Sequence, residues 1–162
     1  MAVKSNLIRW WRLSRHHKLL LFKALFFIIW ATICLKCLPF TRIRPWLGQT
    51  GVVSRDNVSD TQMQQARILA WAVNGVSNHL PRSATCLQRA LAFQHWLRRY
   101  DIPATVYLGV AKNPSAQSGV FQAHAWVSCG HDILMGKAGY EHFKPVAYFG
   151  WPNQFSAKCT PI

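Results

Sequence analysis

The chain has 162 residues, 51% of them apolar, with 19 Lys and Arg against 5 Asp and Glu and a formal net charge of +14. So large an apolar share excludes a disordered polybasic tail, which lacks the side chains to build a core. The five acids, Asp56, Asp60, Asp101, Asp132 and Glu141, never stand within three residues of one another, which argues against a carboxylate pair or a magnesium cage.

The positive charge is uneven. From Met1 to Ser54 there are nine basic residues and no acid, a pattern suited to nucleic acid, an anionic membrane surface or an acidic partner. Five cysteines at irregular spacing do not make a secreted disulfide framework, so a cytoplasmic protein with free thiols is expected. The stretch Leu19 to Leu38 is the most apolar in the chain. Its uncharged run from Ala24 to Leu35 is 12 residues, short of the roughly 20 that a spanning helix needs. Only with Lys23 snorkelling would the run from Leu19 to Leu35 come close to a span. The Cys-Leu-Pro-Phe-Thr-Arg sequence that follows does not resemble a signal cleavage site. A helix buried against the domain, or lying at a membrane interface with Trp10, Trp11, Arg9, Arg12 and Arg15 leading in, fits better. Cys34 and Cys37 form one C-x-x-C without a second ligand pair, so two buried apolar cysteines are expected there rather than a metal site.

Pro39 and Pro45 are expected to end this helix, with Gly48 to Asn57 a polar connector. Ser59 or Asp60 caps a second helix whose apolar side is Ile68, Leu69, Ala72, Val73 and Val76. A loop around Pro81 leads to a third helix from Cys86, with Leu87, Ala90, Leu91, Gln94 and Leu97 at steps of three and four, ending before Pro103. The period then changes to alternation. Strands are expected over 104–111, 120–128, 133–135 and 146–149, with Lys112 to Gly119 a loop and Gly130-His131 a tight turn. Helices followed by antiparallel strands make an α+β domain.

Cys86 falls at the start of the third helix, where unpaired N–H groups and the helix dipole favour a thiolate, with Arg82 and Arg89 close in sequence. His124 lies mid-strand in F-Q-A-H-A-W-V, on the mixed face with Gln122, Trp126 and Ser128, between the small Ala123 and Ala125. A helix-start cysteine and a strand histidine suit attack of a thiolate on an acyl carbon. Packing and surface hydrogen bonding remain the alternatives for each. His79 and His95 are weaker partners, and His16, His17, His131 and His142 show no metal-ligand spacing.

C-L-Q-R-A-L, then W-L-R-R-Y-D-I-P-A, Y-L-G-V and A-H-A-W-V resemble the transglutaminase-like cysteine peptidases that remove the leader in lasso-peptide biosynthesis, the microcin-processing C-terminal-domain family. The F-K-A-L…L-P-F-T-R-I-R-P-W-L-G segment resembles that family's lead-in. The resemblance implies a transglutaminase- or papain-like core, in which a helix carrying the cysteine packs on an antiparallel sheet carrying the histidine, with an N-terminal helical extension. It makes Cys86 the nucleophile and His124 the base. The family often has an acid about a dozen residues after the histidine, and here that position is Gly136. Asp132 is the nearest acid, but at the hairpin tip it stands about 13 Å along the strand from His124. The third role therefore falls to Asp132, to a polar side chain or to a backbone carbonyl.

The resemblance further implies a precursor peptide as substrate and the lasso cyclase as a partner. Residues 1–57 read as a basic, apolar helical segment and connector, and 58–162 as the peptidase domain. That leaves no leader-recognition module, so a separate leader-recognition protein is implied, with membrane-surface contact through the N-terminal helix left open. No cofactor, metal or nucleic acid is expected. Two alternatives stand beside this reading: a non-catalytic basic module binding membrane or nucleic acid, and an acyl transferase or amidase using the same dyad.

Overall fold

The apolar N-terminal stretch forms one helix, α1 (Arg15–Cys37), which begins where the Ser14 hydroxyl accepts the His17 N–H. The computed structural model describes residues 14–54, 58–80, 84–112 and 121–151. The expected cluster of Arg9, Trp10, Trp11 and Arg12, the loop around Pro81 with Arg82, and most of the loop after Lys112 therefore lie outside the described residues.

Pro39 ends α1 as expected, but the chain then turns into a short second helix, α2 (Phe40–Leu47), with Pro45 inside it. Proline forfeits one backbone hydrogen bond there. Ile43 and Leu47, one turn apart and fully buried, hold the helix against the core despite that loss. The expected connector also contributes a two-residue strand, β1 (Gln49–Thr50).

α3 (Asp60–Ser77) and α4 (Cys86–Arg98) each start on a reciprocal capping box, Ser59 with Gln62 and Thr85 with Gln88. Each box satisfies two backbone donors and fixes where the helix begins. Leu69, Ala72 and Val73 of α3 face the core as expected, whereas Ile68 is exposed.

Four longer strands follow: β2 (Thr105–Lys112), β3 (Phe121–Cys129), β4 (Asp132–Met135) and β5 (Lys144–Gly150). The sheet is antiparallel in the order β1-β5-β2-β3-β4. The β2–β3–β4 meander matches the expected alternation and turn. β5 does not extend it; a 3-10 turn at Tyr140–His142 leads the chain back to the other side of β2.

One core joins these layers. Leu20, Phe27 and Ile28 of α1, Leu69 and Val73 of α3, and Leu91 and Trp96 of α4 pack with Val106, Val127 and Phe149 of the sheet. The core runs across position 57, so the N-terminal helix is a layer of the same body as the strands. Gln94, 1% exposed, donates its amide N–H groups to the carbonyls of Leu47 and Ala104, tying α2 to the start of β2 through α4.

Candidate active site

Cys86 is the first residue of α4 and is half-buried against the edge of the core. The Thr85 hydroxyl accepts the Gln88 N–H, and the Gln88 side chain accepts the Thr85 N–H. Among the described residues the N–H groups of Cys86 and Leu87 meet no acceptor. They are the first-turn donors that a helix start offers to an anion.

The C-terminal end of α4 is tied to β2 by Ile102 N–H donating to the Leu97 carbonyl and by the Gln94 bond to Ala104. From Leu97 Cys86 lies about 17 Å back along the helix at 1.5 Å per residue. His124 is paired with Gly109, about 13 Å along β2 from Thr105. Helix and strand thus carry both residues away from the same junction, and α4 packs on β3 as well as on β2 and β4.

Alternation along β3 is as expected. Ala125 and Val127 are buried in the core, and His124 and Trp126 occupy the other face. There the imidazole lies 5.0 Å from the Phe143 ring and 6.0 Å from Trp126, which in turn stacks on Tyr107 at 5.6 Å. Gly109, directly across from His124, admits the Trp126 ring: a Cβ there would stand 2.6 Å from it.

The His124 Nε2 is 2.8 Å from the Gly136 carbonyl oxygen. A carbonyl only accepts, so Nε2 carries the proton and, in the neutral ring, Nδ1 keeps its lone pair. Gly136 is the position at which the resembling family often has an acid. Its φ of +70° and the 2.4 Å between its would-be Cβ and the Ala125 carbonyl both demand glycine. Among the described residues no hydrogen bond joins the Cys86 thiol to the imidazole.

Asp132 stands where the hairpin reading put it, paired with Cys129. Its carboxylate accepts a 2.7 Å hydrogen bond from Arg67 on α3, which holds its pKa below the usual carboxylate value. It is engaged with Arg67, and His124 with Gly136, so Asp132 does not orient the imidazole. The backbone carbonyl takes that place. The signal was present in the sequence as a glycine at the acid's position, but a carbonyl's direction is not written in a side chain.

The remaining thiols and imidazoles are held differently. Burial, with a smaller effect from Asp132, pushes the Cys129 thiol up to about 11, and its Sγ donates to the Pro103 carbonyl. Of the C-x-x-C pair, Cys34 is buried, with its pKa raised by desolvation and then by Cys37, whereas Cys37 is exposed against expectation. His95 lies against Trp30 at 4.5 Å, and its pKa is lowered by burial and then by Arg99 and Arg98. His79 donates from Nδ1 to the Gly75 carbonyl.

An α+β body in which a helix opening on a cysteine packs against an antiparallel sheet bearing a histidine is the architecture expected of a thiol acyl-transfer enzyme. The family model of the transglutaminase-like superfamily matches residues 31–148, from the middle of α1 into β5, and the chain belongs to that superfamily. Members of it are often cysteine peptidases or transferases. No curated protein and no solved structure matches the chain.

Proposed function

We propose that the protein is a cysteine peptidase that removes the leader from a ribosomally made lasso-peptide precursor, with Cys86 as nucleophile and His124 as base. The observation that carries this reading is the His124–Gly136 hydrogen bond, which leaves Nδ1 as the nitrogen able to take a thiol proton. The position of Cys86 at a capped helix start and the family match support it. No hydrogen bond joins thiol and imidazole among the described residues, and the reading requires the substrate complex to bring them together.

In the reaction, Nδ1 of His124 accepts the Cys86 proton as sulfur attacks the carbonyl of the last leader residue. The oxyanion forms in front of the Cys86 and Leu87 N–H groups. Collapse breaks the C–N bond, and the imidazolium returns its proton to the departing amine, which is the new N-terminus of the core peptide. The leader remains on Cys86 as a thioester until water, activated by the same nitrogen, releases it as a carboxylic acid. The Gly136 carbonyl holds the ring throughout and steadies the imidazolium. A separate leader-recognition protein presents the precursor, and the cyclase receives the freed core.

The test is incubation of precursor, recognition protein and cyclase with the wild-type chain, Cys86→Ala or His124→Ala, read by mass spectrometry. Leader removal with the wild type and its loss in both variants is expected. Undiminished removal with Cys86→Ala contradicts the proposal. Transfer of the acyl group to an added amine in preference to water would assign the dyad to a transferase instead.

A further inference from the structure

From Ala24 to Leu35 α1 carries no charged residue on any side, and such helices are normally enclosed by protein or by lipid. Here only one side is enclosed. Leu20, Ala24, Phe27, Ile28, Ala31 and Cys34 are buried, α1 packing on α3 and α4. On the opposite side Leu19, Phe22, Phe26, Ile29 and Ile33 recur at alternating steps of three and four and are 49% to 70% exposed. Isolated exposed apolar residues are ordinary, but a continuous stripe along about four turns marks a contact surface.

The charge around the stripe selects its occupant. At 100° per residue Lys23 falls on one edge and Lys36 on the other, with Arg15 at the N-terminal end, and all three are exposed. α1 carries no acid. A second copy packed on this stripe would bring like charges together with nothing on either helix to balance them. An anionic surface balances them and takes up the apolar side chains together.

α1 is long and apolar enough to cross a bilayer by composition. Spanning would pull its buried side out of the core and drag the polar residues of α3 and α4 after it. The geometry instead points to an in-plane arrangement, and we propose that the exposed face of α1 docks the protein on a bilayer rich in anionic phospholipid, the helix lying along the interface with its buried side still in the core. The peptidase reading is not needed for this, and neither depends on the other.

The full chain is to be sedimented with vesicles of phosphatidylcholine alone and with equimolar phosphatidylcholine and phosphatidylglycerol. Binding to the mixed vesicles, weakened by high salt, with little binding to the neutral ones, is expected. Phe22→Ser with Phe26→Ser should weaken it by about ten-fold or more at an unchanged thermal midpoint, because both side chains are exposed. Lys23→Glu with Lys36→Glu should weaken binding to the anionic vesicles selectively. Failure of the wild type to bind the mixed vesicles, or equal binding by the Phe22/Phe26 variant, overturns the proposal. So does a wild-type dimer that this variant converts to a monomer, which would show a second copy on the stripe.

Discussion

Gly136 serves the site twice: its positive φ lets the chain leave β4, and its carbonyl meets the Nε2–H of His124. Gly136→Ala places a methyl group 2.4 Å from the Ala125 carbonyl in a conformation that disfavours L side chains. A cost of about 1–3 kcal/mol in unfolding free energy is expected by denaturant titration. Cleavage by the folded fraction should fall further, because the imidazole loses its fixed tautomer; full activity would show that the carbonyl does not orient His124. His95 gives a separate pH signature. Its folded pKa lies below the ordinary 6.5, from burial and then from Arg99 and Arg98, so the unfolded chain binds the proton more readily. The stability this contributes is complete above about pH 6.5 and is lost as pH falls through that value. Between about pH 7 and pH 5, thermal melts of His95→Gln should show a shallower decline than the wild type.

Among the elements, those legible in the sequence are the ones whose signals are local. The cap at Ser59, the period-3.6 faces of α3 and α4, and the alternation of β2 and β3 each depend on residues within a few positions of one another. α2 and β1 depend on distant partners and were not legible. α2 forms around Pro45 only because Ile43 and Leu47 find the core, and β1 exists only because Gly150 and Phe149 of β5 lie beside it. Ile68 was misplaced because spacing alone does not say how wide the covered arc of a helix is. Gln94 was assigned correctly to the inner face of α4, but its role appears only in three dimensions. Replacing it by Met keeps the volume and removes both donors, leaving the buried carbonyls of Leu47 and Ala104 without them. We expect Gln94→Met to cost about 1–3 kcal/mol by chemical denaturation. A stability equal to wild type would show that the amide is not the tie between α2, α4 and β2.

For the whole molecule, the α+β class and the order of layers followed from the change of period at Pro103. The candidate site was half legible. Cys86 and His124 were singled out by position and residue type, whereas the histidine's hydrogen-bond partner had to be seen: a backbone oxygen meets the ring, and a carbonyl's direction is not written in any side chain. The scarcity of acids also shapes the outside of the protein, where α1 leaves an apolar, positively edged face uncovered. In the proposed reaction Cys86 carries the leader as a thioester. Intact-mass spectrometry of an acid-quenched reaction with precursor and recognition protein tests it most directly. An enzyme species heavier by the mass of the leader less one water is expected, mapped to Cys86 by peptide analysis and absent from Cys86→Ala. Leader removal that continues in Cys86→Ala, with no adduct on Cys86 in the wild type, would contradict it.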